Sequence, residues 1–471
     1  MRCCPQSFGR SRPILWSLVL ASLAVGIVAG LNPESVPQVR AADRPSLSAA
    51  VGAGSCAASG CHGGPRDQGV KGSEYSTWAG FDKHASAYSV LFDERSKKIE
   101  AALTHSRDVR SMHPENNALC LRCHGLEGAR SHPELQADGV SCEACHGPAR
   151  QWLSQHYLPG WKGLSSDAKR ATGFIDTHDL LQRGKACAAC HIGDRDKEVN
   201  HDLIAAGHPR LTFEYSAYLA LEVKHWDDAA ERKQYPDFEL RTWALGQVLT
   251  AQRSLELLAA RADDSKRPWP EFAEYDCYAC HHDLKERNWR AGQSFKARQP
   301  GTPEWGGWLS AMLPVALASS QIDAAPALEA RIRAIHQMMG SPIERRAVAL
   351  AAREAARALE GPAQRLAGDG VKTLELDRLL DELLHPKDNR SDLTWDRATQ
   401  MYLGLAAAVN ASNDRDPHRL AASYQQRVRS IAQLLRFPGG PSPSDRFDSP
   451  SNFDPERVRQ AFRNLGSSTS R

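Results

Sequence analysis

In five places along the chain a histidine directly follows the second cysteine of a closely spaced pair. In four of these units two residues separate the cysteines, and this Cys-x-x-Cys-His pattern is the attachment signature of a c-type haem. The thiols bond to the cofactor and the histidine ligates its iron. The pattern predicts five covalently attached molecules of haem c. The units are Cys56, Cys61 and His62; Cys120, Cys123 and His124; Cys142, Cys145 and His146; Cys187, Cys190 and His191; and Cys277, Cys280 and His281.

Disulfides and zinc are the alternative uses of these cysteines. Exported cysteines usually form disulfides, and the pairs Cys120/Cys123 and Cys142/Cys145 have the spacing of a four-cysteine zinc site. Neither alternative explains why a histidine follows every second cysteine. Haem attachment is therefore favoured by the five units together, although the first unit, with four residues between its cysteines, would be weak evidence alone.

Histidine is the expected second axial ligand of most of these haems. Between residues 42 and 290 the only methionine is Met112. Bis-histidine iron is coordinatively closed and low in potential, which suits it to electron transfer. The further histidines of the region are His84, His105, His113, His132, His156, His178, His201, His208, His225 and His282.

The elements that position these groups are predicted to be helices. Short helices are expected around the motifs, and leucines at helical spacing predict a longer helix over residues 238–262. Beyond residue 300 there is no cysteine, and apolar stripes such as Leu328, Ile332, Ile335 and Met339 predict a helical bundle. The predicted fold class is mainly α, with a multihaem region that has little regular sheet followed by this bundle.

The N-terminus has the features of an export signal. Arg2, Arg10 and Arg12 precede an apolar run, and Ala41 ends a plausible cleavage site. The run is long, so an uncleaved membrane anchor is the alternative. Either outcome places the rest of the chain outside the cytoplasm, in the periplasm or its equivalent. The predicted organisation is a signal or anchor at 1–41, a linker at 42–50, a multihaem domain at 51–295 and an α-helical domain at 300–471.

The charge of the chain gives no indication of nucleic-acid binding. The formal charge of +3 comes largely from the N-terminal residues, and haem propionates would make the mature protein acidic.

Three segments resemble a known family: TWAGFDKHASAY (77–88), GVSCEACHGPARQWLSQH (139–156) and THDLLQRGKACAACH (177–191). Through them the region from Cys56 to His191 resembles cytochrome c-554, a tetrahaem electron carrier associated with hydroxylamine oxidoreductase. The resemblance implies that His84, His156 and His178 are distal ligands of three of the first four haems. It also implies that the iron over His124 is five-coordinate.

The fifth motif and the helical C-terminal part have no counterpart in that tetrahaem family. The fifth haem needs its own distal ligand, for which His208 is favoured and His201 is second. One of these two histidines, or His113, could instead close the iron over His124.

The predicted function is that of an exported pentahaem cytochrome that transfers electrons between redox partner proteins. The alternative is a multihaem oxidoreductase that acts on a small nitrogen oxide or hydroxylamine at an open iron over His124. A third hypothesis makes the helical C-terminal part a docking module in a larger redox complex.

Overall fold

The computed structural model describes residues 50–66, 70–126, 132–277, 305–323, 325–341, 344–385, 393–415, 419–436 and 453–469. These residues belong to one unit, Ser46–Arg471. The predicted signal or anchor at 1–41, the predicted domain boundary near residue 300, and Cys280 and His281 of the fifth motif lie outside the described ranges. None of the helices in those ranges has the length and apolar character that a bilayer crossing requires.

Short helices make up the cysteine-bearing part of the chain, as the sequence predicts, and a long helix follows its fourth motif. In the described ranges there is no strand, and only Tyr275 and Trp305 form an isolated bridge. The helices are α1 (Glu74–Phe81), α2 (Glu94–Leu103), α3 (Ala118–His124), α4 (Pro133–Gln136), α5 (Cys142–His146), α6 (Pro159–Lys162), α7 (Ser166–Ala171), α8 (Leu180–His191), α9 (His201–Ala205), α10 (Tyr215–Leu221), α11 (Ala229–Gln234) and α12 (Phe238–Asp263).

The C-terminal part is helical throughout its described residues, so the predicted mainly α fold class is confirmed. Its helices are α13 (Leu313–Ser319), α14 (Ala325–Gly340), α15 (Arg345–Ala358), α16 (Glu360–Ala367), α17 (Leu376–Leu384), α18 (Trp395–Arg415), α19 (Ala422–Leu435) and α20 (Pro455–Thr469).

Helix α12 lies at the centre of the largest apolar core. It is buried on nearly all sides, as expected of a helix surrounded by protein. It packs against α8 and α10 of the cysteine-bearing part and against α13, α15, α16 and α18 of the C-terminal part. Gly184 of α8 and Gly246 of α12 permit this approach, because a Cβ would lie 2.5 Å from Leu249 at the first position and 2.6 Å from Tyr215 at the second.

Buried polar contacts fix the orientation of α12 within this core. Arg241 forms an ion pair with Asp237 and donates hydrogen bonds to the carbonyl oxygens of Leu366 and Gly368, each at 2.9 Å. Asp237 also accepts a hydrogen bond from the backbone N–H of Leu374 at 2.7 Å. A buried ion pair is tolerated when its remaining polar atoms are satisfied in this way.

Glu143, within the CEACH motif, joins the third motif to the start of the described chain. Its side chain is 4% exposed. Its carboxylate accepts hydrogen bonds from the backbone N–H groups of Val51 (3.0 Å), Gly52 (2.8 Å) and Ala149 (2.7 Å). Because Val51 and Gly52 lead directly into the first motif, this side chain helps to set the distance between the first and third motifs, together with Asp138, which accepts from the N–H of Ala53 at 2.8 Å.

Replacing Glu143 by glutamine tests this role. The glutamine amide presents one oxygen and an NH2 group to three N–H donors, so at least one donor loses its buried partner. We expect Glu143→Gln to lower the free energy of unfolding of the holoprotein by about 1–3 kcal/mol, measured by denaturant titration. The exposed Glu134→Gln is the matched control and should change it by less than about 0.5 kcal/mol. Equal stability of both variants and the wild type would contradict the role of Glu143.

Candidate functional site

The second, third and fourth motifs each lie at the end of a helix or form one. They coincide with the last residues of α3, the whole of α5 and the last turn of α8. Helical backbone places residues three apart on the same face, so both cysteines of each motif point to one side. Two of these helices have side-chain caps. Asn117 accepts from the N–H of Leu119, and Asp179 accepts from the N–H of Leu181.

The wider first motif reaches a comparable arrangement through a tight turn. Cys56 ends a short 3-10 helix, Ala53–Cys56. The carbonyl oxygen of Ala58 then accepts hydrogen bonds from the N–H groups of Cys61 at 2.9 Å and His62 at 3.1 Å. The two extra residues thus form a loop, and this loop turns the chain of the second cysteine and its histidine back towards the first cysteine.

Successive motifs lie near one another in the order first, third, fourth, second, and helices α5 and α8, which carry the third and fourth motifs, pack together. The thiols of Cys56 and Cys142 share a hydrogen bond, which lowers the pKa of Cys56 to about 7. After burial, the charge of Cys145 in the third motif is the largest contribution raising the pKa of Cys187 in the fourth. A further hydrogen bond joins Cys190 of the fourth motif to Cys123 of the second, and it raises the pKa of Cys123.

The cysteines form neither disulfides nor a zinc site in the described ranges. All nine cysteines there are free thiols. The single group of three potential metal ligands among the described residues is Asp82, His84 and Glu222, so the thiols of the second and third motifs do not converge on one ion. The haem interpretation of the motifs is the one that this arrangement accommodates.

Three motif histidines each face a histidine from another part of the chain. A metal ion ligated from both sides by imidazole needs two metal–nitrogen bonds of about 2 Å each. Adding the distance from each ligating nitrogen to the centre of its ring gives a separation between ring centroids like those found in this protein. The histidines that carry these pairs were all candidates from the sequence. The pairs are His62 with His156, whose ring centroids are 6.1 Å apart, His191 with His84 at 6.1 Å, and His124 with His208 at 6.3 Å.

At five of these six rings the Nδ1 atom is held by a hydrogen bond, which leaves Nε2 available to ligate a metal ion. Backbone carbonyl oxygens or carboxylates serve as the partners, the usual second contacts of metal-ligating histidines. The contacts are His124 with Ala87 O at 2.8 Å, His156 with Leu153 O at 2.7 Å, His208 with Pro209 O at 2.8 Å, His62 with Glu74 at 3.0 Å and His84 with Asp82 at 3.0 Å.

His84 has the most strongly charged surroundings of these rings. The ligand atoms of Asp82, His84 and Glu222 all lie within 4.8 Å of one another. The hydrogen bond with Asp82 raises the pKa of His84. Burial opposes ionisation of Asp82, but its hydrogen bonds with His84 outweigh that effect and lower its pKa. Glu222 lacks such compensation, and burial raises its pKa.

The surface around the motifs fits a large, mostly apolar cofactor with polar edges. Large exposed apolar side chains are concentrated in the cysteine-bearing part of the chain. Among the described residues of the C-terminal part, Leu350 is the large apolar residue that is exposed. Buried donors without a hydrogen bond, Trp152 Nε1 and Trp226 Nε1 among them, occur in the cysteine-bearing part. The exposed apolar residues are Phe81, Val90, Phe92, Leu119, Tyr157, Leu158, Leu164, Leu221 and Phe272.

The third motif histidine, His146, has no opposed histidine ring among the described residues. Burial, together with nearby His225 and His178, lowers its pKa to about 4. His178, which the resemblance implies as a distal ligand, is 77% exposed, and its Nδ1 lies 3.6 Å from Glu231. His225 is more enclosed, and its Nδ1 is buried without a hydrogen bond of normal geometry.

The histidines considered for the fifth haem are separated in space. His208 lies at the second motif, opposite His124. The ring of His201 packs on Phe272 with 5.7 Å between centroids, close in sequence to Cys277 of the fifth motif. His113, the other candidate to close the iron over His124, bonds to Glu115 at 2.9 Å and is largely exposed.

Sequence reasoning did not identify the acidic partners of these histidines. Asp82 lies two residues before His84, and this local spacing was a usable signal. Glu74 and Glu222 lie farther from the histidines they approach, so only the fold reveals them.

Comparisons with known proteins agree with the haem interpretation. Residues 55–147 match the family model of cytochrome c554 and c-prime. The multiheme cytochrome MtrA of Shewanella baltica (strain OS185) is 26% identical over 123 residues, a match that covers 23% of this chain and 34% of that relative. No solved structure matches. These matches support the recognition of a multihaem c-type cytochrome, and the likeness to the cytochrome c-554 family model extends over residues 55–147, while the fifth haem motif stays a prediction.

The carboxylate of Asp82 should lower the potential of the haem at the fourth motif. A carboxylate that accepts a hydrogen bond from a ligating imidazole increases its basicity and stabilises the oxidised iron. We expect Asp82→Asn to raise one midpoint potential in a spectroelectrochemical titration. Each tenfold loss in the preference of the ligands for oxidised over reduced iron corresponds to a rise of about 60 mV. The exposed Asp93→Asn should leave all midpoints unchanged. An unchanged titration of Asp82→Asn, or an equal shift in both variants, would refute the assignment.

Proposed function

We propose that this chain is an exported pentahaem c-type cytochrome that carries electrons between redox partner proteins through mostly bis-histidine haems. Multihaem cytochromes of the matched family suggest electron transfer. The observation that carries the finer proposal is the opposition of His62, His191 and His124 to a second imidazole each. Such pairs occupy both axial positions of an iron and leave none for a substrate.

Each bound haem supplies a one-electron couple at its iron. The chain attaches the cofactor through two thiols, orients it with two imidazoles and adjusts its environment with nearby charges. Glu74 and Asp82 hold the Nδ1 atoms of His62 and His84, which restrains these rings in the orientations in which they would hold a haem iron. The apolar side chains around the motifs would keep water from the cofactor edges.

The order of the motifs supports transfer between two partners at different surfaces. Successive motifs lie near one another in the order first, third, fourth, second, so neighbouring cofactors would lie close together. The first and second motifs occupy the two ends of this row. A donor and an acceptor protein would therefore have separate places to bind.

Two ligand assignments complete this proposal. For the third haem, His178 is the distal ligand implied by the resemblance that remains once His156 and His84 are paired, and His225 is its competitor because it also lies near His146. For the fifth haem, attached at Cys277 and Cys280 over His281, His201 becomes the preferred distal ligand, because His208 faces His124 instead.

Catalysis at an open iron receives less support. That alternative depends on a five-coordinate iron over His124, which the resemblance to the tetrahaem carrier implies. The ring of His208 lies where the sixth ligand would bind. A chain with this iron closed is suited to passing electrons rather than to binding a small nitrogen oxide.

The haem number and the reactivity of the iron test the proposal together. We expect the mass of the full-length holoprotein to report five haems, and the reduced protein to bind carbon monoxide only weakly in an absorption titration. A variant with Cys120 and Cys123 both replaced by alanine should lose the mass of one haem. Bound zinc, disulfides in place of haem, or turnover of nitric oxide, nitrite or hydroxylamine by the reduced protein would overturn the proposal.

A further inference from the structure

The segment that follows α9 contacts the second motif and the C-terminal helices within three residues. His208 faces His124 of the second motif. Arg210 reaches in another direction, to Asp396 in the first turn of α18. The segment therefore joins a predicted haem ligand to a part of the chain for which the haem chemistry gives no role.

The contact between Arg210 and Asp396 is strong and enclosed. Arg210 Nη2 donates to both carboxylate oxygens of Asp396, at 2.9 and 2.8 Å. The Asp396 side chain is 2% exposed. The guanidinium also lies over the ring of Trp308, 5.7 Å from its centroid. Charge-assisted hydrogen bonds to both oxygens fix orientation as well as distance, and removing one partner of a buried ion pair is costly because the other charge loses its counterion.

The backbone between His208 and Arg210 is restrained at each step. The residue before His208, Gly207, has φ 111°, a conformation that favours glycine, and its carbonyl oxygen accepts a hydrogen bond from Arg95 at 2.8 Å. The N–H of His208 bonds to Leu203 O at 3.0 Å. Pro209 fixes its own φ. Nδ1 of His208 also bonds to the carbonyl oxygen of Pro209 at 2.8 Å, so the ring is tied to the residue directly before Arg210 and should respond to the position of that residue.

The aromatic side chains beside the ion pair are themselves anchored. Trp308 donates through Nε1 to Phe213 O at 3.0 Å and stacks on Trp395 with 5.9 Å between ring centroids. Trp395 Nε1 donates to Leu435 O at 2.8 Å. Asp396 is thus held in place by its own helix and by α19, so it offers Arg210 a fixed point.

We propose that Asp396, through Arg210, holds His208 as the sixth ligand of the haem over His124. The C-terminal helical part is then the element that keeps this one haem closed, and Asp396 and Arg210 are positioning residues. The inference rests on the proposed function, since it needs a haem at the second motif. It adds a reason for the C-terminal part to be joined to the cytochrome.

Carbon monoxide binding to the reduced, full-length holoprotein tests the proposal. His208→Ala should bind one carbon monoxide per molecule and show a high-spin iron, and added imidazole should restore the low-spin spectrum. In Asp396→Asn the ring of His208 is still present but less well held. Because apparent affinity scales with the open fraction, its carbon monoxide affinity should be at least about tenfold above that of the wild type and below that of His208→Ala.

Two further variants test whether the effect is specific to the contact between Arg210 and Asp396. The exposed Asp381→Asn in α17 is the matched control and should behave as the wild type. Arg210→Lys keeps the positive charge but loses the planar guanidinium that lies over Trp308, so it should open the iron less than Asp396→Asn does and serves if that variant fails to fold.

The outcomes separate the inference from the proposed function. A low-spin His208→Ala variant that binds no carbon monoxide would overturn the ligand assignment. Wild-type affinity in both Asp396→Asn and Arg210→Lys, with an open His208→Ala, would overturn the positioning role alone. In either case a haem count of five by mass would leave the electron-carrier proposal standing, whereas absence of haem would remove that proposal first.

Discussion

The pairing of histidine rings from distant segments is the constraint on which the cysteine-bearing part depends. Each pair joins a residue inside a motif to one that precedes or follows it by a long stretch of chain, as His84 does with His191. Three such pairs connect segments that share few apolar side-chain contacts with one another. The exposed apolar residues around the motifs agree with this view, because a cofactor rather than protein side chains would cover them. In the cysteine-bearing part, ligation of cofactors by these histidine pairs would replace much of the apolar side-chain packing that forms an ordinary core.

The C-terminal part follows the opposite principle. Its helices bury leucine and alanine against one another and against α12, whose residues are enclosed nearly all round. Charged groups enter this core only as satisfied pairs, such as Arg241 with Asp237. Helix α12 therefore belongs structurally with the bundle although it lies between two cysteine motifs in the sequence. One chain thus combines a region that needs cofactors to be compact with a bundle that provides a rigid face for it.

The sequence predicted the features that depend on local spacing. The motifs, the mainly α class and the long helix at Phe238–Asp263 all follow from residues a few positions apart. His84 and His156 could be named because they lie in recognisable segments, and each faces a motif histidine. The position of His208 could not be decided, because its distance from His124 depends on how α9 packs. Glu143 illustrates the same limit, since two of its three N–H partners belong to residues far earlier in the chain.

Arg210 shows how the two parts of the molecule act on a common group. Besides its contacts with Asp396, its Nη1 lies 3.3 Å from the sulfur of Cys277 in the fifth motif. A single guanidinium thus touches a cysteine of the predicted fifth motif and the C-terminal bundle, and it is two residues from the ring that faces the second motif. Burial favours the neutral form of Arg210, but Asp396 more than compensates and raises its pKa, so the charge persists at every physiological pH. Because this charge is permanent and enclosed, it provides a constant electrostatic link between the fifth motif and the bundle.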